Sequence, residues 1–378
     1  MSADTLHPPV RVRTPSTPST RTGAPLARRL ARGALASAWA LRHPREPLAP
    51  RPKPQSTEPR WIRAEDGWEC PLRRLAPKAG ASGEPVVLAG GLGQTLHTFD
   101  PEPDGSLAAR LHAAGFDVWW LGHRGSSGAR PPQHPGPCDL DAIVAHDVPA
   151  VVERIKAVTG ARRLLWVGHG LGGQLAYAHL AAGGDDIAGL VAIAAPLLFP
   201  RVHTRARLAG RIAAALPAEW RLPVGAVADA LAPGPGADLL QRLAPSCDAA
   251  HRRGLLLHGT AAVRLGMIRQ TARWYELGHL SDRSGRLDYA AALGGTRCPM
   301  FLVTAERDPV CPPRAIAPLS AATDHRERRH LLLAGDWGHL DLLLGPRAPK
   351  QVHLPIEKWL VARRQLAWKG VRHGPGGL

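Results

Sequence analysis

The sequence predicts an α/β protein: a mostly parallel sheet with an antiparallel N-terminal edge hairpin, helices on both faces, and a helical cap inserted between strands. Three observations carry that prediction. From about residue 85 onward, short apolar runs alternate with longer amphipathic ones, the pattern of strands joined by crossover helices. Ahead of them, RWIRAEDGWECPLRRL holds two strand-like runs around Asp66-Gly67, a dipeptide that favours a tight hairpin turn. Across residues 200–293 the alternation stops, and it then resumes.

Each element follows from its residues. The hairpin supplies the antiparallel edge. Pro85 to Ala89 (PVVLA) is a short apolar strand, Ser106 to Ala114 a helix, and Phe116 to Leu121 (FDVWWL) the next strand. A long amphipathic helix follows from Asp139 to Val158, then a strand over Leu164 to Val167, a helix over Leu171 to Ala182 and a strand over Ile187 to Ala195. Residues 200–293 form too long a stretch for a structureless loop inside a compact domain. They read as several helices, including one from Leu255 to about Leu277, that cap the edge where open α/β sheets bind ligands. Strands over Met300 to Thr304 and Leu331 to Leu333 and a helix from Pro355 to about Leu366 complete the core. The domain plan is therefore a core of residues 60–199 and 294–366 and a cap of 200–293. Residues 1–59 are expected to be a disordered basic tail rich in Pro, Ser and Thr, and 367–378 a flexible basic tail. Within the first tail, Leu26 to Leu41 (LARRLARGALASAWAL) reads as a short basic amphipathic segment suited to weak membrane-surface contact. An export signal is the alternative there, with Arg32 interrupting the apolar stretch.

Composition narrows the functional classes. The chain has 378 residues, 44% of them hydrophobic, enough for a substantial core. A formal charge of +17 invites a nucleic-acid reading, but arginine outnumbers lysine and Ala, Gly, Pro and Arg are enriched together along the chain. Zinc-finger spacing, an aromatic RNA-binding signature and a basic heptad helix are all lacking, so no nucleic-acid partner is expected. The five cysteines are odd in number, widely spaced and without C-x-x-C, which argues against a disulfide framework or a zinc site. Reduced thiols, a cytoplasmic location, no metal and no cofactor are the expectation. No run of 18 apolar residues occurs.

Six blocks then fall in a telling order. VVLAGGLGQ (86–94) ends one strand, DVWWLGHRG (117–125) the next, and HDVPAVVERI (146–155) lies in the long helix. WVGHGLGG (166–173) joins strand to helix, FLVTAERDPVCPP (301–313) ends a late strand, and GDWGHLDLLLG (335–345) follows the last one. Together the blocks resemble the α/β-hydrolase fold, in a lipase- and esterase-like branch similar to acid lipases, over about residues 60 to 366. The resemblance implies a triad acid at Asp308, a triad histidine at His339, and oxyanion-holding N–H groups at Leu92 and Leu171. It also implies an acyl or other apolar small-molecule ligand. On the residues alone, Asp308 ahead of Pro309 also reads as a turn cap, and His339 as a histidine packing its loop.

Two positions depart from the pattern. Gly90 stands where a histidine usually precedes the oxyanion turn, and Gly170 stands at the nucleophile position, so the side chain that forms the acyl-enzyme is missing. The flanking Gly168 and Gly172 keep the sharp turn feasible. Other side chains offer weaker chemistry: His169 as a neighbour of the gap, Ser126 and Ser127 in an arginine-anchored turn, Cys311 as a spare thiol, and Asp341 as a second carboxylate. Leu208, Ile212, Leu216, Leu222, Leu231 and Met267 are candidates to line an apolar pocket in the cap. Three functional readings follow. The protein binds an acyl ligand without ordinary ester hydrolysis. Alternatively, it uses the His339-Asp308 dyad as a general base without a covalent intermediate. Or it is a carboxylic-ester hydrolase in which Gly170 is an artefactual or engineered Ser-to-Gly change.

Overall fold

A computed structural model of the protein describes residues 10–12, 60–95, 98–100, 105–200, 210–218, 220–222, 241–248, 252, 259–320 and 327–367. The main sheet has nine strands: β1 (Val10–Val12), β2 (Arg60–Arg63), β3 (Glu69–Leu75), β4 (Pro85–Ala89), β5 (Asp117–Leu121), β6 (Leu164–His169), β7 (Ile187–Ile193), β10 (Met300–Ala305) and β11 (Arg328–Leu333). Their spatial order is β1-β11-β10-β7-β6-β4-β5-β3-β2. All neighbours are parallel except β3, which runs antiparallel to β2 and β5. Strands β4 to β7 and β10 are buried along their whole length, as continuous apolar runs between two helical layers must be.

The helices follow the predicted spans with local refinements. Helix α1 (Leu107–Ala113) starts at Ser106, whose hydroxyl accepts the Ala109 N–H. The long helix after β5 is composite. Asp139 caps a short turn (Leu140–Ala142), a π-turn (Ile143–Asp147) follows, and α2 (Val148–Thr159) runs to a left-handed Gly160. The π-turn aims Asp147 inward, where it and Asp66 pair with the fully buried Arg124 of the loop after β5, at 2.7 and 2.6 Å. Helix α3 (Leu171–Ala181) is buried nearly all round, between the sheet and the overlying segments. Helix α5 (Leu354–Val361) packs Ile356, Trp359 and Leu360 inward.

Three expectations change. The N-terminal tail, expected to be disordered, contributes β1, pairing in parallel with β11 from Val10↔Leu331 to Val12↔Leu333. The unpaired edge of β11 offers a free ladder that even three residues can occupy. The helix expected from Leu255 begins at Leu265 as α4 (Leu265–Leu277). Val263–Arg264 (β9) instead pairs with Arg221–Leu222 (β8), so 200–293 is not purely helical. At the other end, Ala367, placed in the flexible tail, is buried in a last helical turn, Arg364–Ala367. Leu26 to Leu41 and residues 368–378 lie outside the described residues.

Backbone hydrogen bonds stitch the inserted segment to the sheet's C-terminal edge, among them those at the turn after β4 and the loop after β11. Ala261 N–H donates to Gly93 O (2.7 Å) and Thr95 N–H to Gly259 O (3.0 Å), against the turn after β4. Leu340 N–H donates to Leu243 O (2.7 Å), against the loop after β11. Of the pocket-lining candidates, Met267 is buried, whereas Ile212 and Leu222 are exposed and line no interior; Leu208 and Leu231 lie outside the described residues. Among the described residues, no helix is long and apolar enough to cross a membrane.

Candidate active site

The turn from β6 into α3 sets the centre of the site. Gly170 has φ +51° and ψ −115°, a conformation in which L side chains are strained by about 1–3 kcal/mol. Its N–H is held by Ile193 O (2.9 Å) and its carbonyl accepts the Gly173 and Gln174 N–H groups (both 3.1 Å), so the elbow is fixed on both sides. Gly172 serves close approach: a Cβ there would lie 1.9 Å from Ala89 O. That absence of side chain lets α3 press onto β4 and carry Leu171 to the first helical position, where an N–H has no intrahelical acceptor.

Asp308 and His339, far apart in sequence, meet over this elbow. His339 Nδ1 lies 2.9 Å from Asp308 Oδ2. Asp308 Oδ1 also accepts the Val310 (2.7 Å) and Cys311 (3.0 Å) N–H groups. Burial pushes the Asp308 carboxyl up, but the His339 charge and hydrogen bond, with the two backbone donors, outweigh it and hold the pKa below the usual carboxylate value. A Cβ built on Gly170 would stand 3.5 Å from His339 Nε2 and 3.6 Å from Gly91 Cα, ordinary contact distances. The imidazole thus faces the place where a nucleophile would project. With Asp308 on Nδ1, a neutral His339 presents Nε2 as an acceptor towards that place.

A relay of hydrogen bonds, not anticipated from the sequence, ties together the three loops that make the site. Gly91 N–H donates to Gln94 Oε1 (2.6 Å), Gln94 Nε2 donates to His169 Nδ1 (2.9 Å), and His169 Nε2 donates to the His339 carbonyl (3.1 Å). One tautomer of His169 satisfies both of its contacts. The ring is fully buried, with its centroid 4.4 Å from that of His339. Burial, and then the neighbouring His339 charge, lower its pKa to about 3, so it stays neutral and acts as a strut. Leu92, on the same turn as Gly91, has a partly exposed side chain, while its backbone belongs to the turn that faces Gly170. The only sequence signal for the relay was an adjacency, His169 beside Gly170 and Gln94 beside the glycine turn.

The remaining candidates lie elsewhere. Cys311 is completely buried and burial raises its thiol pKa far above the ordinary value, which removes it as a spare nucleophile. Asp341 is buried and accepts N–H groups from Gly338 (2.9 Å) and Ser246 (3.2 Å), so it binds the His339 loop to the inserted segment and not to the imidazole. Ser126 donates nothing to the dyad; its hydroxyl accepts the His123 N–H (2.9 Å). Ser127 is exposed at the same turn. Among the described residues, no group of His, Cys, Asp and Glu is arranged to hold a metal ion.

Two cavities open at this edge of the sheet. One, of about 340 Å³, lies between Phe199 and Pro312; the other, of about 250 Å³, lies behind the turn at Gly90 and Gly91.

Comparison with known proteins bears on this geometry. Residues 84–339 match the family described as Serine aminopeptidase, S33. A tear acid lipase-like protein of Mesocricetus auratus is 30% identical over 125 residues, 30% of this chain and 31% of that protein. Human gastric triacylglycerol lipase is 30% identical over 126 residues, 30% of this chain and 32% of that protein. The chain thus spans about a third of the length of these curated relatives. Among solved structures, a soluble variant of monoglyceride lipase from Saccharomyces cerevisiae superimposes with a TM-score of 0.60 at 18% identity, covering 85% of this chain and 100% of that one.

Proposed function

The chain belongs to the Serine aminopeptidase, S33, family and has the α/β-hydrolase fold, and on that premise we propose that it keeps the acid and base of a lipase- or esterase-type site without a covalent nucleophile. In this reading it holds an acyl or other apolar small molecule over the elbow and forms no acyl-enzyme. The observation that carries the proposal is the open space at Gly170: a Cβ would sit 3.5 Å from His339 Nε2, so the base is poised over a position with no oxygen to deprotonate. The N–H groups of Leu92 and Leu171 are the proposed donors to a ligand carbonyl oxygen. The unpaired state of all five cysteines supports a reducing, cytoplasmic setting.

The experiment compares the protein with Gly170→Ser on p-nitrophenyl acetate and butyrate. The serine variant is expected to gain about 10²-fold or more in kcat/KM, since Ser and His act as a unit in such sites. A serine-directed phosphonate should abolish the gain. A folded variant with no gain would show that Asp308 and His339 do not serve as a triad.

The intact Asp308–His339 hydrogen bond favours a second reading, in which His339 Nε2 takes a proton directly from water beside a reactive ester or lactone. In that case His339→Ala removes whatever slow hydrolysis the unmodified protein shows. An unchanged rate leaves ligand binding as the role of the site.

A further inference from the structure

The cavity of about 250 Å³ behind the β4 turn is separate from the dyad: Gly170, Leu171, Asp308 and His339 contribute nothing to its wall. Strand register explains its composition. Trp61 pairs with Pro71, Arg73 with Trp120, and Trp120 with Leu88, so one face of β2, β3, β5 and β4 presents a continuous row of side chains. With Phe99 and Leu121, that row gives a largely aromatic and aliphatic wall. Its mouth is fixed. Trp61 Nε1 donates to Gly128 O (2.9 Å), and the Arg130 guanidinium lies over the Trp61 ring at 3.7 Å.

One buried polar group in this wall has a spare hydrogen-bonding site. His123 is 93% buried (7% exposed). Its Nδ1 accepts the Gly125 N–H at 3.1 Å, so the neutral ring carries its proton on Nε2. Burial lowers its pKa to about 4, which keeps it neutral near pH 7. Nε2 has no hydrogen-bond partner among the described residues. Nε2 is not among the fully buried unpartnered side-chain atoms, so it stays accessible to a ligand or to water. Trp120, in the same wall, also has an unpartnered indole N–H.

We infer that this cavity is a second binding site, built for a flat, uncharged ring system that carries a hydrogen-bond acceptor for His123 Nε2. The size fits: a dry apolar cavity of about 150 Å³ accepts benzene, so about 250 Å³ suits two fused rings. Among the described residues no acidic side chain lines the cavity, and Arg73 in its wall already has an interaction partner. A ligand here would rest against Gly90, Gly91 and Gln94, and Gly91 Cα also lies 3.6 Å from the Cβ position of residue 170. The inference does not depend on what the dyad does.

The test uses isothermal titration calorimetry of the full-length protein with three probes: 2-acetylnaphthalene, 2-ethylnaphthalene and 2-naphthoate. The acetyl compound is expected to bind about five- to tenfold tighter than the ethyl compound, the difference one hydrogen bond supplies. His123→Leu should erase that preference while leaving the ethyl compound's affinity within about twofold. Ser127→Trp, a change at the exposed mouth, should abolish binding of both, and His339→Ala should change neither. Thermal melts establish that each variant is folded; if His123→Leu does not fold, the mouth variant decides. Failure of the acetyl compound to bind, a preference that survives His123→Leu, binding unaffected by Ser127→Trp, or loss of binding in His339→Ala overturns the inference. Tighter binding of 2-naphthoate than of 2-acetylnaphthalene overturns the uncharged class.

Discussion

At position 170, backbone strain and side-chain chemistry can be separated. The space around a Cβ is unexceptional, with nearest atoms at 3.5 and 3.6 Å, but φ is +51°. Gly170→Ala is therefore expected to lower the unfolding free energy by about 1–3 kcal/mol through strain alone, read by urea titration. Unchanged stability would mean that the elbow relaxes. Asp308 acts through His339, so its role is tested in the Gly170→Ser background, where Asp308→Asn should lower kcat by about 10³- to 10⁴-fold. A packing role for His339 predicts no such fall. Asp308 and His339 were legible in the sequence because each sits in a block just past a strand end, in the order the fold requires. The strut formed by Gln94 and His169 was not, because it exists only once the β4, β6 and β11 loops converge.

Arg124, fully buried between Asp147 and Asp66, ties together three elements: the loop after β5, the π-turn before α2, and the β2–β3 hairpin. Removing one partner leaves an uncompensated buried charge, so Asp147→Ala should cost about 3–5 kcal/mol, measured by urea denaturation. A loss under about 1 kcal/mol would mean that Asp66 alone satisfies the guanidinium. Elements with a clear period or a turn signal were legible, namely the Asp66-Gly67 hairpin, the apolar strands and the amphipathic helix before β6. The misses share a cause. A two-residue ladder such as β8–β9 and a three-residue edge strand such as β1 are too short to carry a period, and tertiary pairing alone creates them. The π-turn within the long helix was likewise invisible, since one wider turn leaves the apolar pattern almost intact.

Across the whole molecule, burial of neutral histidines sets the pH response. His123, His169 and His353 have pKa values lowered to about 4, about 3 and about 4, chiefly by burial, against 6.5 when unfolded. Between those limits the unfolded chain binds protons that the folded chain does not. Stability is thus fully present above about pH 6.5 and falls as the pH drops towards 4, by up to about 1.4 kcal/mol per pH unit for each histidine. Asp308, with its lowered pKa, adds a further loss only at lower pH. Urea titrations at pH 7, 6 and 5 should show this decline, and His353→Gln should make it shallower; a flat profile contradicts it. The central claim is that this fold is present without its covalent nucleophile, and intact-protein mass spectrometry after treatment with a fluorophosphonate tests it across the whole chain at once. The account predicts no adduct on the unmodified protein and a single adduct, mapped to position 170, on Gly170→Ser. An adduct on the unmodified protein, or a folded Gly170→Ser that remains unlabelled, would contradict it.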